Sequence, residues 1–287
     1  MRHSRSEFVA LRERRYHVRI WGDDDAPTIF FLHGWGDVGA SIQFVAEALV
    51  GNWRIIAPDW RGFGMSQWND GPYWFADYIA DLDALLGHYS PAQPARLAGH
   101  SMGGIVASLF AGIAPQRVSH LASLEGFVLW VHAPEDSPGR LAKWLQQIRD
   151  DDAAFRHYPD REQFAARLRS DNPRLTPERA AFLAEHSSRA SGGSFVFAAD
   201  PRHRWIIPVY FPLPEAKACW RRISAPTLWV AGRDSDVMKE FAQRPDDLDA
   251  RRACFAKLQE NWLADCGHNL HHDQPEALAS LLDEFFS

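Results

Sequence analysis

The chain has 287 residues, of which 46% are hydrophobic and 24% charged, and this composition excludes collagen-like, coiled-coil and disordered classes. Its 31 Lys+Arg against 37 Asp+Glu give a net charge of −6, with the signs interspersed, so the basic footprint of a nucleic-acid partner is missing. Cys219, Cys254 and Cys266 are too scattered for a disulfide framework or a C-x-x-C metal site. No run approaches 18 apolar residues and the start of the chain lacks an apolar targeting core, which predicts a cytoplasmic protein without membrane insertion.

In chain order, residues 16–21 and 28–32 read as strands, 41–50 as a helix, 54–57 as a strand, 74–86 as a helix, 96–98 as a strand, 102–111 as a helix and 121–124 as a strand. Strands return at 227–231 and 261–264, and a last helix is expected over 275–285. The strands are short, apolar and rich in β-branched or aromatic residues, whereas the helices repeat apolar positions every three or four residues. Such alternation predicts a mostly parallel sheet covered on both faces. It breaks over 127–224, where Ser137, Asp160 and Thr176 offer helix caps and strand signal is confined to 194–198 and 205–210. The expected organisation is a core of residues 1–126 and 225–287, with a mainly helical cap, 127–224, inserted between two late strands.

Gly99-His100-Ser101-Met102-Gly103 places a G-x-S-x-G motif between a strand and a helix. A serine on so sharp a turn is held in a strained conformation that pushes its hydroxyl out above the sheet, at a helix N-terminus that favours developing negative charge. A serine needs a base, and the base needs an orienting group. His268, in Asp265-Cys266-Gly267-His268 after the last strand, is the expected base, because its position places it at the same sheet edge as Ser101. The cluster His268, His271, His272 and Asp273 has the residue types of a metal site, but Asp273-Gln274-Pro275-Glu276 reads as a helix start and no second ligand cluster is visible, so no metal or other cofactor is expected. After the strand at 227–231, Asp234 and Asp236 both offer a carboxylate for the imidazole, and spacing alone does not choose between them.

These segments, with His33-Gly34-Trp35 and Asp59-Trp60-Arg61-Gly62-Phe63-Gly64-Met65-Ser66, resemble the α/β-hydrolase fold superfamily over nearly the whole chain outside the cap, in the order Ser, Asp, His. The resemblance implies the α/β-hydrolase fold. Many members carry the acid three residues after the strand-ending glycine, where this chain has Ser235; another pattern, G-x-x-S-D, fits Gly232 to Asp236 and selects Asp236, with Asp234 second. Some members place the acid after the preceding strand, where Glu125 stands, but Leu124-Glu125-Gly126-Phe127 resembles a structural turn of serine-hydrolase-like relatives. The resemblance also implies an oxyanion hole formed by the backbone N–H groups of Trp35 and Met102, with His33 bracing that loop. It makes 59–66 a scaffold turn. Gly192-Gly193-Ser194-Phe195-Val196-Phe197 and Asp200-Pro201-Arg202 narrow the likeness to serine-hydrolase-like members.

Aromatic residues are dense around both regions. Trp60, Phe127, Trp130, Trp144 and Trp205 are the candidates for walls of an apolar substrate cleft, with core packing as the alternative for each. The expected function is a serine hydrolase, carboxylesterase-like (EC 3.1.1), that cleaves a small, apolar carboxylic ester or related acyl compound through Ser101, His268 and Asp236. Ser101 in place of an aspartate at the elbow disfavours dehalogenase and epoxide-hydrolase chemistry. Two alternatives are a carbon–carbon bond hydrolase acting on a vinylogous diketone and a ligand-binding protein of the same fold with little turnover. Sequence does not specify the oligomeric state.

Overall fold

The computed structural model describes residues 2–127, 129 and 131–287. The chain opens with a hairpin, β1 (Ser4–Leu11) and β2 (Arg14–Trp21), turned by Arg12 and Glu13, both at positive φ. Paired left-handed residues of this kind match the twist of the strands they join. β1 was not anticipated from sequence: it is an edge strand in which Arg5, Glu7 and other polar residues interrupt the apolar signal.

There follow β3 (Thr28–Leu32), α1 (Gln43–Ala48), β4 (Arg54–Pro58), α2 (Phe75–Tyr89), β5 (Ala95–His100), α3 (Met102–Ile113) and β6 (Val118–Leu124). After β6 come α4 (Ser137–Asp150), α5 (Arg161–Asp171), α6 (Pro177–Ser187), the hairpin β7 (Ser188–Ser191) and β8 (Ser194–Phe197), and α7 (Leu213–Trp220). The chain then returns to the main sheet with β9 (Thr227–Gly232), followed by α8 (Asp236–Ala242), α9 (Pro245–Arg252), β10 (Leu258–Leu263), α10 (Leu270–Asp273) and α11 (Pro275–Phe286).

The eight-stranded sheet has the order β1-β2-β4-β3-β5-β6-β9-β10. The pairs β1/β2 and β2/β4 are antiparallel and all others are parallel. Alternate residues of each strand feed opposite faces. Phe30, Leu32, Ile56, Leu97 and Leu121 join Leu82 of α2 and Val106 of α3 in one core. Ile29, Phe31, Ile55, Ala98 and Leu124 join Val45 of α1 and Leu278, Leu282 and Phe286 of α11 in the other. Burial on both faces is why the central strands read as unbroken apolar runs.

Between β6 and β9 several local expectations change. Asp160 and Thr176 cap their helices, accepting hydrogen bonds from the N–H groups of Gln163 and Arg179. Ser137 is instead the first residue of α4, extending a preceding 3-10 turn. Residues 205–210 form no strand. α7 turns back onto the main body: Trp220 is fully buried and its indole N–H donates to Ser108 of α3 at 3.0 Å. Near the start of this stretch, the buried Arg251 of α9 donates to the carbonyl oxygens of Phe127 (2.7 Å) and Leu129 (2.9 Å), with Asp247 beside it at 2.8 Å.

Candidate active site

Parallel strands deliver their C-terminal ends to one edge, and a fold of this kind places ligands there. β5, β6, β9 and β10 are consecutive neighbours in the sheet, and hydrogen bonds join the end of β5 and the residues after β6, β9 and β10. Ser101 follows β5 with φ 48° and ψ −116°, while its carbonyl already accepts from Ile105 N–H in α3. The turn fits only because its flanks lack Cβ atoms. A Cβ on Gly99 would stand 2.5 Å from the Gly103 carbonyl oxygen, and one on Gly103 would stand 2.2 Å from that of Leu32. Strain of this type is held by the packed elements on either side and exposes the side chain at the turn.

Glu125 follows β6, also at positive φ (51°), and is completely buried. Its carboxylate accepts three hydrogen bonds. Oε1 takes the backbone N–H of Gly232 at 2.8 Å; Oε2 takes the hydroxyl of Ser235 at 2.8 Å and Nδ1 of His268 at 2.5 Å. Because a carboxylate only accepts, the His268 proton sits on Nδ1, leaving Nε2 as the nitrogen for a nucleophile. The loop carrying His268 is tied to the elbow as well: His100 Nε2 donates to the His268 carbonyl at 2.8 Å, and the two rings lie 4.8 Å apart.

The expectation of Asp236 at this position is corrected by the geometry. Asp236 opens α8 with its side chain 94% exposed and bonded to Lys239 at 2.8 Å, and that ammonium holds the carboxyl below its usual range. Asp234 also faces away, on Arg174 at 2.7 Å. The residue that occupies the place between them is Ser235, whose oxygen caps α8 by accepting from Met238 N–H while its proton goes to Glu125. Two sequence signals existed for this: a serine stands at the common acid position, and a glutamate follows the preceding strand. Neither reveals by itself that the two share one hydrogen bond.

The loop after β3 adjoins the nucleophile turn. A Cβ on Gly34 would meet Ser101 Cβ at 3.2 Å and His100 Nδ1 at 2.8 Å, so the loop passes close to the turn at Gly34, and Trp35, the next residue, lines a cleft with Met102. His33 braces this loop from within: Nδ1 donates to the Gly34 carbonyl at 2.7 Å and Nε2 accepts from Trp60 N–H at 2.9 Å. Burial pushes the His33 imidazole below its ordinary pKa, which keeps the bracing ring neutral. Asp59 has the same structural character, accepting from His17, Gly39 and Met65.

A narrow cleft, about 90 Å³ of it open to water, is lined by Trp35 and Met102 together with Phe75, Tyr78, Trp144 and Trp205. Trp144 and Trp205, two of the residues expected at an apolar cleft, line this one. Trp60 and Phe127 do not, and both are corrected to core residues. Trp60 is buried with its indole N–H on the His33 carbonyl, and Phe127 stacks on Phe255 at 4.2 Å. Trp130 lies outside the described residues. One wall of the cleft is keyed by His203, stacked between Phe63 (4.0 Å) and Tyr73 (3.8 Å). Tyr73 in turn donates to Asp200 at 2.8 Å.

A mostly parallel sheet that carries at one edge a strained serine turn and a histidine bonded to a buried carboxylate has the architecture of an alpha/beta hydrolase. The family model described as the alpha/beta hydrolase fold matches residues 27–275, and the chain belongs to that family. A serine hydrolase-like protein of Danio rerio is 26% identical over 99% of this chain and 89% of its own length. Proline iminopeptidase PfmaB of Pestalotiopsis fici is 33% identical over 50% of this chain and 51% of its own length. Among solved structures, the thioesterase domain from the curacin biosynthetic pathway superposes with a TM-score of 0.88 at 25% identity, covering 98% of this chain and 99% of that one.

Proposed function

We propose that the protein hydrolyses a small acyl compound, an ester or thioester with an apolar acyl group, through Ser101, His268 and Glu125. The observation that carries this reading is the His268–Glu125 bond of 2.5 Å at the sheet edge that also carries Ser101. Ser101 Oγ attacks the acyl carbon while its proton passes to His268 Nε2. Glu125 holds the opposite nitrogen, fixes the tautomer and offsets the charge of the imidazolium that forms. The carbonyl oxygen becomes an oxyanion, held by the N–H groups of Met102 at the start of α3 and Trp35. Losing one such donor typically costs about 3 kcal/mol of transition-state stabilisation.

The imidazolium then gives its proton to the leaving oxygen or sulfur, the acyl–heteroatom bond breaks and an acyl-serine remains. Water enters, His268 takes its proton, and the reverse sequence releases the carboxylic acid and restores Ser101. The aromatic lining of the cleft beside Trp35 and Met102 supports an apolar acyl group, since such walls exclude water and contribute through buried area. The segment between β6 and β9 supplies Trp144 and Trp205, and in this reading it is the cap over the site.

The test is turnover of p-nitrophenyl esters and an acyl thioester by wild type and by Ser101→Ala, with fluorophosphonate labelling of both. Ser101→Ala is expected to retain its circular dichroism spectrum and to lose labelling, with kcat reduced at least about 10³-fold. Labelling or turnover at the wild-type level in that variant overturns the assignment.

A further inference from the structure

Behind the nucleophile turn lies a second cluster that the proposed chemistry does not use. Asp37, His100 and His271 are all buried, and one donor atom from each lies within 4.8 Å of the other two. They come from the loop after β3, the end of β5 and α10, and His271 Nε2 donates to Asp37 Oδ2 at 2.9 Å across 234 residues of chain. The His100 tautomer is set by its other neighbour. Nε2 faces the His268 carbonyl at 2.8 Å, and a carbonyl only accepts, so Nε2 carries the proton and Nδ1 presents a lone pair. His100 Nδ1 is buried with no hydrogen-bond partner, and so is His271 Nδ1. A histidine that donates one ring nitrogen to a backbone carbonyl while the other waits in a buried carboxylate–imidazole cluster has the arrangement that orients metal-ligating imidazoles.

We infer that Asp37 Oδ2, His100 Nδ1 and His271 Nε2 form a binding site for a transition-metal dication of the Zn²⁺ type. Two imidazoles and one carboxylate are a donor set that such an ion prefers. Ligands about 2.1 Å from a tetrahedral ion stand about 3.4 Å apart, so His271 and Asp37, 2.9 Å apart, open slightly, while a pair at the 4.8 Å limit of the cluster closes with each side chain moving by about 0.7 Å at most. The balance of the step is simple: the ion replaces the proton on His271 Nε2, which leaves to solvent, while His100 Nδ1 is already unprotonated. His272 Nε2, 3.9 Å from Asp37 Oδ2 and also without a partner, stands next to the site. Because His100 also holds the carbonyl of His268, the ion acts on the base through the loop that carries it. That consequence, inhibition of turnover, rests on the function proposed above, whereas binding of the ion does not.

The test uses chelator-stripped full-length protein titrated with Zn²⁺ against a chromogenic zinc chelator. One ion per chain is expected in wild type and in His268→Ala, which keeps the backbone carbonyl that accepts from His100. At least tenfold weaker binding is expected in His271→Gln and His100→Gln. Loss of binding in His268→Ala with His271→Gln unaffected puts the ion on the catalytic pair and overturns the proposal, as does the absence of a stoichiometric site in wild type. Should the glutamine variants not fold, Co²⁺ in wild type reads the same site. Tetrahedral ligand-field bands without a sulfur charge-transfer band are expected, and a thiolate band or no tetrahedral band overturns it. If Ser101→Ala binds Zn²⁺ as wild type does while wild-type turnover is unaffected by the ion, the site stands and its coupling to catalysis fails.

Discussion

Glu125 and Asp236 are both carboxylates near the end of a strand, and their surroundings make them opposites. Glu125 is buried and accepts from a backbone N–H, a serine and the imidazole, whereas Asp236 is in water on Lys239. An acid that orients a catalytic imidazole must be fixed and desolvated, since an exposed pair contributes little and is screened. On the proposed mechanism, Glu125→Gln is expected to lower kcat by about 10³- to 10⁴-fold while the fold persists. Asp236→Asn is expected to stay within about twofold of wild type. Ser235→Ala removes one charge-assisted hydrogen bond from Glu125 and is expected to cost about tenfold or more in kcat/KM. Initial rates on a p-nitrophenyl ester separate the three, and a large loss in Asp236→Asn with none in Glu125→Gln would return the role to Asp236.

At the scale of elements, the nucleophile turn depends on β3, β5 and α3 approaching until backbone touches backbone. Gly103 makes that contact possible, because a methyl there would collide with the Leu32 carbonyl oxygen at 2.2 Å. Gly103→Ala is therefore expected to lower stability by about 1–3 kcal/mol. Gly139 in α4 is the counter-example: open space surrounds it, and it sits in a helix. Gly139→Ala is expected to raise stability by about 0.5–1 kcal/mol, because alanine loses less backbone freedom on folding. Urea unfolding midpoints of the two variants should move in opposite directions; a Gly103→Ala midpoint equal to wild type would show that α3 can shift without cost. α8 shows the complementary point. Its cap, Ser235, is also a partner of Glu125, so one hydroxyl serves both the helix and the carboxylate.

For the whole molecule, burial of neutral histidines sets how stability responds to acid. Burial pushes His203 down to about 3 from an ordinary value of 6.5. Between those values the unfolded chain binds a proton that the folded chain refuses, so this contribution is complete above 6.5 and is lost as pH falls toward 3. His33 moves in the same direction for the same reason and adds to the slope. The midpoint of urea unfolding is expected to fall continuously from pH 7 to pH 4, and less steeply in His203→Phe, which keeps a ring between Phe63 and Tyr73. Equal slopes in the two proteins would remove His203 from the account. The whole chain also decides what lies over the sheet edge. Among the described residues no helix is long and apolar enough to cross a membrane, and Trp144 and Trp205, from the segment between β6 and β9, line the cleft with Trp35 and Met102.

The alternation of apolar runs and amphipathic helices determined the parallel sheet, because those periodicities are local and the central strands are buried on both faces. It determined Ser101 as well, since a glycine-flanked serine between strand and helix is a local backbone requirement, and the position of His268 after the final strand. Three matters were decided only by the tertiary structure. The partner of His268 depends on which carboxylate the packing of β6 against β9 desolvates, and two exposed aspartates in a favourable motif carry no trace of that. The placement of Phe127 and Trp60 in the core, and of Trp144 and Trp205 at the cleft, depends on which side of an aromatic ring another element covers. The meeting of Asp37, His100 and His271 has no local signal at all, for it joins residues that only the order of strands in the sheet brings within reach.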